Sequence, residues 1–190
     1  MGIREVRKFR RIHIGVSIIL GFMSPLICYL LIPNFNILNQ PLSYFGIVEE
    51  TSNIWFYSLL MIFLGVVLNG ERRVDENIIK IHQNPLKIIL TISSMSLFGL
   101  TFFTMEQPLI HNIFATIFFL GYSLFVFLYG LSKSLKTVRG GRPSLIIGIL
   151  MLSSPLLIIP FPSYGVMEIT HISLTLIWNG TMLFKSRLIT

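Results

Sequence analysis

The chain has 190 residues, of which 53% are hydrophobic and only 12% are charged, and its mean hydropathy is +0.77. These values lie far outside the range of soluble globular domains, so they exclude that class and predict an integral membrane protein. The single cysteine, Cys28, excludes an intrachain disulfide and any metal motif built from several cysteines.

Six apolar runs follow one another along the chain, with short polar segments between them, over residues of about 14–32, 53–70, 88–105, 110–131, 143–161 and 167–184. About 20 helical residues cross the hydrocarbon core of a bilayer, and the runs are close to that length. We therefore predict an all-α fold, in which a bundle of six transmembrane helices forms one domain over residues 1–190. Pro25 and Pro155, each preceded by a serine, predict kinks in the first and fifth spans because proline removes a backbone hydrogen-bond donor.

The basic residues are sorted along the chain. All 15 Lys and Arg fall in the N-terminal segment, in the loops after the second and fourth runs, or in the C-terminal tail, which carries Lys185 and Arg187. Six spans place these segments on the same side, and the positive-inside rule then predicts a multi-pass protein of the cell membrane with both termini cytoplasmic. On this interpretation every basic residue, Arg73 included, serves topology or contacts anionic lipid headgroups, so the net charge of +7 needs no nucleic acid partner.

The last run carries polar residues at helical spacing. Glu168, His171, Thr175 and Asn179 are three or four residues apart, so they share one face of an otherwise apolar helix. A carboxylate at the middle of a spanning helix costs roughly 2.5 to 3.5 kcal/mol on insertion scales, and such groups usually face the interior of a bundle. This stripe predicts an internal polar site.

The extracytoplasmic side has no Lys or Arg, and its ionisable residues lie at one membrane level: Glu49, Glu50, Glu106, His111, Glu168 and His171. Carboxylates that are crowded together without a counter-charge attract a cation or a ligand amine. We predict an outward-facing pocket that binds a lipid headgroup or a cationic ligand. Its contacting residues are His111, Glu168 and His171, its lid carries Ser43, Glu49 and Glu50, and Glu106 and Asn179 are further candidates.

Three other interpretations of these residues stay open. The loop carboxylates are merely solvated, and Glu168 and His171 pair with each other to close the bundle. Alternatively, His111, His171 and Glu168 bind a divalent metal such as zinc, which lowers the pKa of a bound water for hydrolysis. Proton relay or ion conduction would need a continuation across the bilayer, and the candidates for it are Thr175, Asn179 and the group Thr91, Ser93, Ser94 and Ser96.

Short motifs add a family resemblance. Three segments together resemble motifs of the DRAM, FRAG and SFK-type six-span membrane proteins and their uncharacterised prokaryotic relatives. They are Leu42-Ser43-Tyr44-Phe45-Gly46, Asn53-Ile54-Trp55-Phe56 and His111-Asn112-Ile113-Phe114-Ala115. Glu168 stands where that family has an acidic residue, whereas Tyr44 stands where it typically has Asp or Glu. The resemblance implies a role in membrane lipid biology and singles out Ser43, Gly46, His111 and Glu168.

Three functions from different classes follow. The first is the extracytoplasmic binding pocket, with a membrane lipid as the partner. The second is a membrane-embedded hydrolase or transferase that acts on lipid and uses His111, His171 and Glu168 as metal ligands or as general acid and base. The third is a non-catalytic subunit that packs against another membrane protein or against a second copy of this chain.

Overall fold

A computed structural model describes residues 3–77, 79–136, 138–161 and 163–185, and these residues form helices and the connections between them. The α-helices are α1 (Ile3–Leu31), α2 (Glu49–Asn77), α3 (Lys80–Phe102), α4 (Pro108–Lys136), α5 (Val138–Ser153) and α6 (Gly165–Lys185). Two 3₁₀ helices accompany them. Leu42–Gly46 precedes α2, and Ser154–Ile158 follows α5.

Five helical segments of the described chain are long and apolar enough to cross a membrane: Lys8–Leu31, Glu49–Asp75, Lys80–Phe102, Pro108–Lys136 and Gly141–Ile158. The protein is therefore all-α, and its apolar helices indicate a membrane protein. The sixth helix is not in this set, and it carries the polar stripe residues Glu168, His171 and Asn179.

The helix boundaries differ from the predicted runs for physical reasons. The helices α2 and α4 continue beyond residues 70 and 131, because hydropathy marks the apolar part of a helix rather than its end. By contrast, α3 ends at Phe102 rather than at residue 105, and α5 ends at Ser153 rather than at 161. Pro155 accounts for the second difference, since it cannot donate to the α-helical ladder and the chain tightens into the 3₁₀ helix there.

Successive helices pack against each other, and α6 lies against α1, α2 and α5. Trp178 of α6 is fully buried and makes edge-to-face contacts with three rings of α4, those of Tyr122, Phe125 and Tyr129, at centroid distances of 5.8 to 5.9 Å. Edge-to-face pairs at this distance stabilise a core beyond their buried area. This aromatic cluster joins α4 to α6 next to the polar stripe.

The helices α4 and α5 approach each other at glycines. A Cβ built on Gly148 would lie 2.6 Å from the Cα of Phe127, and one built on Gly130 would lie 2.8 Å from the Cα of Leu145. Only hydrogen side chains allow such close backbone contact between helices. Beyond this contact α5 ends, and a cavity separates α4 from the 3₁₀ helix Ser154–Ile158.

Candidate ligand-binding site

A cavity of about 310 Å³ lies beside α4, between that helix, the 3₁₀ helix Ser154–Ile158 and the start of α6. We call it the outer cavity. Most of its lining is apolar, and its polar groups come from few side chains. Its lining includes Ser43, His111, Asn112, Ala115, Thr116, Phe119, Leu120, Pro155, Ile158, Tyr164 and Glu168.

The outer cavity opens towards the side of the bundle. On α4, Asn112, Thr116 and Leu120 belong to its lining and are exposed at the helix surface. Tyr164, on the opposite wall, is also exposed. In contrast, Ser43, His111 and Glu168 are buried at the inner end of the cavity. A molecule entering from the side would therefore pass a mixed rim of Asn112, Thr116, Leu120 and Tyr164 before it reached the buried polar groups.

Glu168 holds the first interhelix loop against α6. Its Oε2 accepts hydrogen bonds from the backbone N–H groups of Leu42, at 2.5 Å, and Ser43, at 3.4 Å, and its Oε1 accepts one from the Ser43 hydroxyl at 3.5 Å. These N–H groups open the 3₁₀ helix Leu42–Gly46. A carboxylate suits this position because the first N–H groups of a helix have no partner within it. The loop thus covers the inner end of the outer cavity.

His111 is oriented by the turn that precedes its helix. Its Nδ1 donates to the backbone carbonyl of Phe103 at 2.8 Å, and a carbonyl can only accept, so the ring proton lies on Nδ1. In the neutral ring Nε2 is then the hydrogen-bond acceptor. His111 and Glu168 therefore both bring acceptor atoms to the same buried end of the cavity.

A smaller cavity, of about 40 Å³, continues inward from the same residues. We call it the inner cavity. It shares Ser43, His111, Ala115, Phe119 and Glu168 with the outer cavity. Thr175, one of the stripe residues, also lines it.

His171 is buried, but its contacts differ from those of His111 and Glu168. Its Nδ1 lies 3.3 Å from the hydroxyl oxygen of Ser154, and its ring packs edge-on against Phe119. Glu168 and His171 thus bond to different partners, so the pairing that would close the bundle is not formed. Within the described residues, no three His, Cys, Asp or Glu side chains are grouped closely enough to hold a metal ion.

The loop carboxylates lie outside the lining of both cavities. Glu49 and Glu50 are exposed in the first turn of α2, and Glu106 is exposed before α4. Ser43 is therefore the predicted lid residue that the structure brings to the buried polar groups, through its contact with Glu168.

Asn179 lies deeper in the bundle, in a second polar cluster. Its Oδ1 accepts hydrogen bonds from Asn69 Nδ2 at 2.5 Å and from the Tyr122 hydroxyl at 3.2 Å. Asn69 Oδ1 accepts in turn from Nε of Arg73 at 3.2 Å. Asn69, Asn179 and Tyr122 are fully buried. Sequence reasoning missed Asn69, although a polar residue within an apolar run was a signal that could have found it.

Arg73 corrects the interpretation of the basic residues. It is only 2% exposed, and its Nη2 donates to the Trp178 carbonyl and to the Thr181 hydroxyl. Its guanidinium lies 3.6 Å from the Trp178 ring centroid, and within the described chain it forms no ion pair with a carboxylate. Arg73 is thus an internal cation stabilised by an aromatic face and neutral acceptors, not a headgroup contact. Arg187 lies outside the described residues.

Comparison with known families gives one match: a family model described as a family of unknown function, DUF7103, covers residues 44–184. Neither the curated proteins nor the solved structures contain a match.

Proposed function

The chain belongs to the DUF7103 family, whose function is unknown, and we propose that it is a six-span membrane protein whose outer cavity binds a membrane lipid. The bound lipid has a headgroup that donates hydrogen bonds. This proposal keeps the lipid-related role that the resemblance to DRAM, FRAG and SFK-type proteins implies.

The proposal that α6 is a sixth membrane span depends on how this helix packs. The helix α6 lies against α1, α2 and α5, and its stripe is buried, so its polar residues need not meet lipid. With six spans the basic segments lie on the cytoplasmic side, and the outer cavity lies in the opposite half of the membrane.

One observation carries the proposal: the outer cavity has a mostly apolar lining and holds buried polar groups at its inner end. Leu120 and Ile158 line the apolar part, whereas Ser43, His111 and Glu168 lie at the inner end. A lipid has the same distribution, with acyl chains beside a polar headgroup. Sites that bind small molecules combine apolar walls with a few placed polar groups in the same way.

The polar groups also indicate the headgroup class. Nε2 of His111 and the carboxylate of Glu168 accept hydrogen bonds, and Glu168 has no cationic partner among the described side chains. A primary ammonium group supplies both donors and a positive charge. A quaternary ammonium group carries the charge without an N–H donor, so the two kinds of headgroup should differ in affinity.

This difference can be measured by native mass spectrometry of purified, delipidated protein. We expect phosphatidylethanolamine to bind about tenfold more tightly than phosphatidylcholine with the same acyl chains, since one charge-assisted hydrogen bond contributes about 1.4 kcal/mol or more. Ala115→Leu, which places extra carbons in both cavities, should abolish this binding. Ile117→Leu, at an exposed α4 position outside the lining, should leave it unchanged.

Equal retention of phosphatidylethanolamine by Ala115→Leu and Ile117→Leu would contradict the proposal. Release of fatty acid or headgroup during incubation would favour the hydrolase instead, with His111 Nε2 as the base. A zinc-dependent form of that alternative stays a prediction.

A further inference from the structure

Three buried side-chain atoms in the described part of the chain have no hydrogen-bond partner, and all belong to the stripe of α6: His171 Nε2, Thr175 Oγ1 and Asn179 Nδ2. Each residue is 1% exposed or less. Unpartnered buried polar atoms are rare in proteins, and ordered water is a common reason for them. Their occurrence at every fourth residue of one helix face indicates a continuous feature.

The spacing of the helix matches one water molecule between His171 and Thr175 and another between Thr175 and Asn179. The Cα atoms of residues four apart are displaced by about 6 Å along the helix axis. A water that hydrogen-bonds to both neighbours spans about 5.6 Å, because each bond is about 2.8 Å long. Thr175 also lines the inner cavity, whose volume of about 40 Å³ exceeds the roughly 10–15 Å³ that one water needs.

The donor and acceptor pattern also fits water. The Ser154 hydroxyl donates to the Met151 carbonyl at 2.7 Å, so Nδ1 of His171 must donate to Ser154, and Nε2 is left as an acceptor. Thr175 Oγ1 can donate and accept, and Asn179 Nδ2 can only donate. No single ionic ligand satisfies all three atoms, whereas water, which donates and accepts, can bond to each of them.

The path has polar groups at both ends. At its outer end the inner cavity shares Glu168 and His111 with the outer cavity. At its other end Asn179 is bonded through Asn69 to Arg73. Two residues beyond Arg73, Asp75 is exposed and pairs with Lys87 at 2.8 Å, so the path reaches the end of the bundle where basic residues lie.

We propose that the α6 face formed by His171, Thr175 and Asn179 carries a file of buried water from the outer cavity to Arg73, and that the Arg73 cation closes this file to protons. A fixed guanidinium in a narrow polar path repels protons and other cations, as in water-selective pores. The protein thereby keeps hydrated polar groups inside the bundle without leaking protons. This inference does not depend on which lipid, if any, occupies the outer cavity.

Radiolytic hydroxyl-radical labelling with mass spectrometry tests the water file in the wild-type protein. Tyr122 and Trp178 are fully buried beside the path, so they should be oxidised only if bound water lies next to them. Cys28 is equally buried and lines neither cavity, so it is a matched control that should stay unmodified despite its higher reactivity. Thr175→Val, which has nearly the same shape but no hydroxyl, should lose the labelling of Tyr122. Unlabelled Tyr122 and Trp178 in the wild type would overturn the proposal.

Proton flux into liposomes that contain a pH-sensitive dye tests the closure at Arg73. We expect no flux above protein-free liposomes for the wild type, measurable flux for Arg73→Gln, and loss of that flux in Arg73→Gln combined with Thr175→Val. Size-exclusion chromatography establishes that each variant is folded. A folded Arg73→Gln variant without flux, or a wild type that conducts protons, would show that Arg73 does not close the path. Should Arg73→Gln not fold, the wild-type flux and the labelling of Tyr122 still decide the proposal.

Discussion

At the scale of single residues, Glu168 connects the first loop to the last helix. Its carboxylate accepts from the backbone of Leu42 and Ser43, which lie more than 120 positions earlier in the chain. These bonds satisfy N–H groups that the 3₁₀ helix itself leaves without partners. The position of the loop over the inner end of the cavity therefore depends on one side chain.

Replacing Glu168 should release this loop. Glu168→Leu leaves the Leu42 and Ser43 N–H groups without an acceptor, and we expect it to lower the free energy of unfolding by about 1–3 kcal/mol. Glu168→Gln keeps an amide oxygen in place, so its loss should be smaller. Thermal unfolding in detergent measures the stability, and limited proteolysis between residues 32 and 48 measures release of the loop. Glu106→Leu is the control at an exposed position, and a loss as large as that of Glu168→Leu would contradict this role.

The spacing of Glu168, His171, Thr175 and Asn179 was sufficient to predict that they share a face, and all four are buried. Their partners could not be predicted in the same way. Periodicity reports which residues of one helix point together, but Leu42, Ser154 and Asn69 belong to distant parts of the chain. For this reason the sequence predicted one polar site, whereas the structure has two polar clusters, one at Glu168 and one at Asn179.

At the scale of helices, the contact between α4 and α5 determines where the outer cavity begins. The two backbones touch at Gly130 and Gly148, and Pro155 then ends the α-helical path of the chain. Packing that is tight at one end and interrupted at the other leaves space between α4 and the 3₁₀ helix Ser154–Ile158. The serine–proline step at 154–155 predicted a kink, whereas the cavity beside it depends on the neighbouring helix.

A methyl group at Gly148 should separate these helices. Its Cβ would meet the Phe127 backbone at 2.6 Å, and backbone cannot rotate away, so we expect Gly148→Ala to lower the unfolding free energy by about 1–3 kcal/mol. A Cβ at Gly15 of α1 would have no neighbour within 4 Å. Because alanine is the better helix former, Gly15→Ala should be neutral or stabilise by up to about 1 kcal/mol. Thermal unfolding of both variants is the measurement, and equal effects would show that the α4–α5 contact is not tight.

At the scale of the whole molecule, the distribution of charge predicts the orientation in the membrane. Counting Lys and Arg along the chain predicts which segments lie together, because membrane insertion depends on where basic residues occur rather than on their contacts. The count could not separate Arg73 from its neighbours, since it does not report that α2 continues past residue 70 and turns this side chain onto Trp178. For the remaining basic residues, the role in topology stays a prediction.

Cysteine labelling tests the orientation and the number of spans together. In a Cys28→Ser background, Glu106→Cys should react with a membrane-impermeant maleimide in intact cells, because Glu106 is exposed and the proposed orientation places the α3–α4 turn outside. Lys80→Cys, exposed at the start of α3, should react only after permeabilisation. A peptide tag fused after Thr190 should likewise be reached by antibody only after permeabilisation if α6 spans the membrane.

These three measurements separate the possible arrangements. With five spans, α6 would lie on the surface and the tag would be accessible on the same side as Glu106→Cys. That result is unfavourable on physical grounds, because it would require the buried contacts of Trp178 with α4 to form outside the bundle. Reaction of Lys80→Cys in intact cells, with Glu106→Cys protected, would reverse the orientation. It would place the outer cavity in the cytoplasmic half of the membrane, so its lipid would come from the inner leaflet.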